Sequence, residues 1–250
     1  MGRSHAVSGL AGGVALFSPA VLPHPALHIG PLDVEAGVIP LGAYLGHMSV
    51  PYVALACVVL AVCALIPDWD TPSSYVSTCL PPLSGAISKP LTALGHRTLT
   101  HTPLGFALFG LVVAAAGAPT AMLAGTLIRP GNGVVVALGA AMAARALGAK
   151  PGCWPVLWCV GVVGFLLGGL MPAPALWFMP VAVVAGMWLH RIGDAITTQG
   201  APCAAWPVLK RPRLRLPVLG DAGSRREHAL FWLMCLYVAW GWLVLLLTAW

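Results

Sequence analysis

Long apolar runs separated by short polar islands dominate the chain. Six runs carry almost no charge, over about 45–66, 104–128, 133–148, 153–171, 175–189 and 229–249, and a seventh over about 6–22 is cut short by Pro19 and Pro23. Ala229 to Trp250 has no charged residue over 22 positions and Cys153 to Met171 none over 19. Such lengths suffice for a helix to cross about 30 Å of hydrocarbon. The pattern predicts an all-α, polytopic membrane helix bundle of about six to seven transmembrane helices, forming a single membrane domain over residues 1–250. The first run reads either as a span or as a cleaved signal.

Composition agrees with the pattern. A mean hydropathy of +0.88 and 59% hydrophobic residues lie outside the soluble globular range. The 29 glycines suit close approach of helix backbones in lipid, where small residues set the packing distance. Seven cysteines, without a CxxC pair and mostly inside the runs, argue against a disulfide framework or a cysteine zinc cage.

Charge adds a direction. With seven spans and the N-terminus inside, twelve of the 13 basic residues fall on one face and only Arg129 on the other. Basic excess marks the cytoplasmic side, so the expected location is the inner (plasma) membrane, multi-pass, with the basic segment 200–228 as a cytoplasmic loop. That loop, with Lys210, Arg211, Arg213, Arg215, Arg225 and Arg226, suits anionic lipid headgroups. Without aromatic interleaving or a recognisable module, nucleic acid is not the expected partner.

The same arithmetic collects the polar islands. Pro67-Asp68-Trp69-Asp70 follows the second run, His96-Arg97-Thr98-Leu99-Thr100-His101 precedes the third, and His190-Arg191-Ile192-Gly193-Asp194 ends the sixth. His5 opens the first and Glu227 the last. All emerge on one face. Ionisable groups at membrane depth persist where they face one another or a ligand, and carboxylates with imidazoles are a natural ligand set for a divalent metal.

Spacing sharpens each island. His190 and Asp194, four apart, share a helix face, and Gly200 is expected to close that helix. Pro67 and Pro72 make a tight turn of the Asp68/Asp70 segment, whose carboxylates either converge on a cation or cap a helix with Ser73 or Ser74. Thr102 and Pro103 read as the cap and first residue of the third span, which leaves His101 in a loop with His96. His24, His28, Asp33 and Glu35 sit in a Pro- and Gly-rich stretch over 23–44, read mainly as a solvated loop.

Taken in order, these blocks resemble the YdjM-like family of inner-membrane proteins, classed as metal-dependent hydrolases of unsettled substrate. The matching pieces are Ser4-His5, Leu65-Ile-Pro-Asp-Trp-Asp-Thr-Pro-Ser73, His96 to His101, and His190-x-x-x-Asp194-Ala-Ile-Thr197. Gly200, Trp206-Pro207 and Gly223-Ser224 before Glu227 complete them. The resemblance implies that Asp68, Asp70, His96, His101, His190 and Asp194 are metal and active-site residues, supported by His5 and Glu227. Arg191 and Gly193 depart from the family's apolar preference.

These readings converge on a hydrolase holding a divalent metal, zinc, at the cytoplasmic interface. His5, Asp68, Asp70, His96, His101, His190 and Asp194 are the candidate metal ligands. Asp68, Asp70 or Glu227 is the candidate catalytic base, and Arg97 or Arg191 the candidate holder of an anionic substrate group. A site at headgroup depth favours an ester or phosphoester of a membrane lipid or lipid-linked molecule. The alternatives are a transporter or metal carrier, and a non-catalytic scaffold that binds a cytoplasmic partner.

Overall fold

In the computed structural model, residues 2–29, 32–47, 49–150, 152–170, 175–203 and 213–248 are described. Lys210, Arg211, Trp206 and Pro207 of the basic loop lie outside them. Eight α-helices carry the architecture: α1 (Gly2–Phe17), α2 (Val50–Cys63), α3 (Leu83–Ala93), α4 (Pro103–Gly117), α5 (Pro130–Ala146), α6 (Trp154–Gly169), α7 (Ala175–Ala195) and α8 (Arg225–Thr248). Three 3-10 turns, Leu45–His47, Ile66–Asp70 and Leu99–His101, join some of them.

The chain is mostly helical but not all-α. Four antiparallel two-stranded ladders occupy connections. β1 (Val21–His24) pairs with β4 (Gly37–Pro40), enclosing β2 (Leu27–Ile29) paired with β3 (Leu32–Val34). The stretch 23–44 is therefore largely strand rather than loop. β5 (Ala121–Leu123) pairs with β6 (Thr126–Ile128), and β7 (Ala201–Pro202) with β8 (Arg213–Leu214).

The helices are shorter than the apolar runs suggest. The run 104–128 ends as helix at Gly117, just before Pro119, and its remainder turns back through Ala124 and Gly125, both at positive φ, into the β5–β6 hairpin. Two helical stretches are long and apolar enough to cross a membrane, Val50–Asp70 and Arg225–Leu247; Pro103–Gly117 and Trp154–Gly169 are apolar but shorter. Six or seven full-length spans are thus not what helix length alone supports. α3 lies between the long apolar runs; Leu83, Ala86, Ile87 and Leu91 fall at helical spacing, but the segment is too short and too polar to read as a span.

Polarity is distributed inside out. Leu111, Val112, Leu167, Trp232, Leu236 and Leu247 are each at least 64% exposed, while Asp70, Arg97, His101, His190 and Asp194 are buried. Apolar side chains thus cover much of the outer surface and one cluster of charged groups is internal, while other charged residues, among them Lys89, Lys150, Arg213 and Arg225, are exposed.

Close backbone contact sets the helix positions. α1 and α7 both pack on α2. At Gly9 on α1, an added Cβ would lie 2.4 Å from the Ala61 Cα; at Gly186 on α7, it would lie 2.6 Å from the Cys63 carbonyl carbon. Because these neighbours are backbone, they have little freedom to move aside. These two contacts bring the polar ends of α1 and α7 beside the turn that follows α2. Gly186→Ala is expected to lower stability by about 1–3 kcal/mol through overpacking. Gly85→Ala on α3, where nothing lies within 4 Å of the new Cβ, is expected to be neutral or to gain about 0.5–1 kcal/mol. Thermal unfolding of both variants in one detergent checks the pair.

Candidate metal centre

The first two polar islands are presented by breaks in regular helix and the third by the last turns of α7. Pro67 sits early in the 3-10 turn after α2, and that turn carries Asp68 on its partly exposed side and Asp70 fully buried. The next island is contorted. Arg97 adopts φ +57, an uncommon conformation for a residue with a Cβ. Its backbone N–H donates to Asp70 Oδ2 at 2.9 Å, a bond that helps hold the strained residue. Thr102 then caps α4, its hydroxyl accepting from Gly105 N at 3.2 Å, with Pro103 as the first helical residue. His101, one residue earlier, is thereby aimed inward from the 3-10 turn.

On α7, His190 and Asp194 do share a face, with Nε2 and Oδ2 3.6 Å apart. The helix stops at Ala195 rather than running to Gly200. Thr197 bonds back to the Asp194 carbonyl through its N–H (3.0 Å) and its hydroxyl (2.7 Å), which ends the ladder. Gly200 serves the following turn at φ +67, where a Cβ would lie 2.5 Å from the Leu214 carbonyl oxygen.

Hydrogen bonds orient the Nδ1 side of each imidazole. His190 Nδ1 lies 2.7 Å from the Ala64 carbonyl oxygen. A carbonyl only accepts, so Nδ1 carries the proton. His101 Nδ1 lies 3.3 Å from Asp70 Oδ2, and an ionised carboxylate likewise requires a proton there. Burial draws the His101 pKa below the ordinary histidine value, against the opposing pull of its hydrogen bond with Asp70, so the neutral ring is favoured. In the neutral forms both Nε2 atoms therefore present lone pairs.

Those lone pairs point at each other. His101 Nε2 and His190 Nε2 are 3.2 Å apart, and Asp194 Oδ2 lies 3.4 Å from the first and 3.6 Å from the second. Asp194 Oδ1 is neutralised by Arg97 Nη2 at 2.7 Å, whereas Oδ2 is buried and accepts no hydrogen bond among the described residues. Three electron-rich atoms face one another in a buried space. A proton on one nitrogen would satisfy one pair; a cation satisfies all three. Their separations are close to the edge of a tetrahedral zinc ligand set, about 3.3 Å for bonds of about 2.0–2.1 Å.

Two further groups border this triangle. Asp68 Oδ1 is 3.8 Å from His190 Nε2, with its side chain 22% exposed. His5 stacks on His190 with ring centroids 3.7 Å apart, and its Nε2 is 3.8 Å from Asp194 Oδ1. Gly193 makes room for that stack, since a Cβ there would lie 3.2 Å from the His5 ring. Asp68 with His101 and His190, and His5 with His190 and Asp194, each form a group whose ligand atoms lie within 4.8 Å of one another.

The remaining candidates stand elsewhere. Asp70 lies behind His101, its oxygens engaged by His96 Nδ1 (2.8 Å), Arg97 N–H (2.9 Å), the Thr100 hydroxyl (2.7 Å) and the Thr71 hydroxyl (3.3 Å). It does not cap a helix with Ser73 or Ser74, and its place is that of a carboxylate orienting a ligand histidine. His96, half-exposed, stands at the rim on the far side of Asp70. Arg97 is not turned toward an external anion: Nη2 holds Asp194 and Nη1 donates to the Gly200 carbonyl at 3.1 Å. Arg191 is also buried, donating to the Pro202 carbonyl at 2.9 Å and lying 5.1 Å above the Trp188 ring.

Glu227 belongs to a helix cap. Ser224 accepts the Glu227 N–H at 3.2 Å, while the Glu227 carboxylate takes the Gly223 N–H and the Ser4 hydroxyl. Ser-x-x-Glu before an apolar run is a capping-box signature that the sequence displays.

The sequence model of the YdjM inner membrane protein family matches residues 1–248. No curated protein and no solved structure matches the chain.

Ligand and supporting positions differ in what their loss should do. His101→Ala is expected to abolish stoichiometric zinc binding, whereas Asp70→Ala, which loosens the His101 ring and its turn without removing a ligand atom, weakens affinity about 10–100-fold. Competitive titration with a zinc chelator distinguishes the two outcomes. Equal losses would place Asp70 among the ligands.

Proposed function

Because the chain belongs to the YdjM inner membrane protein family, we propose that it is a multi-pass membrane hydrolase that uses a divalent metal, zinc, at the cytoplasmic end of its helix bundle. The observation that carries the reading is the triangle of His101 Nε2, His190 Nε2 and Asp194 Oδ2. Its donor set of imidazole and carboxylate suits zinc.

The alternation of connections supports repeated crossing. Arg145 at the end of α5 donates to the Thr78 hydroxyl, which places the α5–α6 connection at the same end as the turn after α2. Trp240, deep in α8, donates to the Val21 carbonyl, and Arg129 N–H to the Gly169 carbonyl. With α1, α2 and α4–α8 as passes, the short ones completed by flanking turns, the metal end carries nearly all basic residues and is cytoplasmic by that excess.

When bound, the ion supplies Lewis acidity toward a carbonyl or phosphoryl oxygen and acidifies water. His101, His190 and Asp194 would hold it, with His5 completing the set. Asp68 is the candidate general base, because it is the partly exposed carboxylate beside the triangle and its side chain makes no hydrogen bond among the described residues. Asp70 and the Ala64 carbonyl fix the two ring orientations, and Arg97 keeps Asp194 ionised and turned. His96 lines the entrance. The substrate class is an ester or phosphoester at headgroup depth. Charges gathered at one end of the bundle, rather than along a central path, favour this reading over a transporter.

The test uses p-nitrophenyl esters and p-nitrophenyl phosphates with the zinc-loaded protein in detergent. Asp68→Asn is expected to retain zinc and lose about 10²–10⁴-fold in kcat. Wild-type protein that lacks near-stoichiometric metal, or an Asp68→Asn variant with unchanged turnover, would overturn the proposal.

A further inference from the structure

A second feature adjoins the metal triangle and is not used by it. A groove of about 360 Å³ runs between α1, α7 and α8. Its floor is a stripe of small α1 residues that includes Ser8, Ala11 and Ala15; its walls are Leu189 and Ile192 from α7 and Leu230 and Met234 from α8. α8 packs chiefly on α1, so its first three turns stand apart from α7 and leave this space open along one side. The lining is almost wholly apolar.

The groove has two distinct ends. One is polar and reaches the metal site: Ser4, His5 and Glu227 line it, and the same His5 ring stacks on His190. The other end is at Tyr237, ten residues further along α8, or about 15 Å at the helical rise. Tyr237 is engaged there with the Leu41 carbonyl, which closes the groove. An elongated apolar slot thus begins at the His5 ring that stacks on His190 and extends along the direction of α8.

We propose that this groove binds a hydrocarbon chain of a lipid substrate, so that the ester or phosphoester at the chain's head lies at the metal triangle. The inference rests on the hydrolase reading for what happens at the head, but the groove's occupancy does not. The shape selects a single extended chain. The small residues of α1 let it lie against the helix backbone, and the open side admits it laterally from the bilayer. Burial of successive methylenes supplies the affinity. Remote binding of this kind positions the head group without further polar contacts.

The experiment uses the full chain in phospholipid nanodiscs with a diazirine-bearing palmitic acid as probe, and mass spectrometry to locate the photolabel. Labelling is expected to concentrate on the peptides containing Ser8–Ala15 and Leu230–Met234, above that of the lipid-facing Leu111 and Val112 on α4, and to be displaced by excess palmitic acid. Ala11→Phe, which fills the slot, is expected to lower groove labelling about tenfold, the loss of about two buried methylenes, with α4 labelling and zinc content unchanged. Groove labelling equal to that of α4, or unaffected by Ala11→Phe in folded protein, overturns the proposal. His190→Ala separates the two readings, because it removes zinc and leaves groove labelling intact. If wild type lacks zinc while the groove still labels, the hydrolase reading fails and the chain site stands.

Discussion

The structure depends on an electrostatic problem that its own residues leave unsolved. His101 Nε2, His190 Nε2 and Asp194 Oδ2 face one another across 3.2–3.6 Å in a buried space, and each is held there by a bond on its opposite side. The Ala64 carbonyl holds His190, Asp70 holds His101, and Arg97 holds the other oxygen of Asp194. Facing lone pairs in a poorly solvated interior repel, and the cost of leaving them uncompensated is high. Surrounding structure therefore holds acceptors in a cluster that a proton on one ring completes in part and a bound cation would complete in full.

Much of the fold can be understood as what brings those three groups together. The triangle draws on the turn before α4 and on α7, and is braced by the turn after α2 and by α1. No single helix supplies it. Gly9 and Gly186 allow α1 and α7 to approach the α2 backbone, so the ends of three helices meet within the length of one side chain. Arg97 in its positive-φ conformation ties the second island to both Asp70 and Asp194. Strain at that residue is offset by charged hydrogen bonds, a pattern common where geometry serves function. The greasy exterior and the polar interior end are two aspects of one arrangement.

Some of this was legible in the residues. Helical spacing alone joined His190 to Asp194, the Thr102-Pro103 pair announced where α4 begins, and counting basic residues by face brought His5, Asp68, His101 and His190 to one end. Other parts were not legible, for physical reasons. Residue type does not reveal whether a carboxylate faces a metal or stands behind a histidine, so Asp70 and Asp68 could not be separated until their hydrogen bonds were seen. Arg97 resembled an anion holder because its sequence neighbours are polar, yet its partner Asp194 is 97 residues away. Apolar runs overstate helix length, since hydrophobicity continues through the β5–β6 hairpin after Pro119 has ended α4. Gly200 reads as a helix stop, but Thr197, seven residues after His190, had already ended the ladder.

X-ray absorption spectroscopy at the zinc edge on the purified full-length protein tests the central claim most directly. The account predicts a first shell of nitrogen and oxygen only, at about 2.0–2.1 Å, with outer-shell scattering from two or more imidazoles that diminishes in His190→Ala. None of the ligand groups found among the described residues includes a cysteine. Sulfur in the first shell, or a zinc spectrum unchanged by His190→Ala, would contradict it.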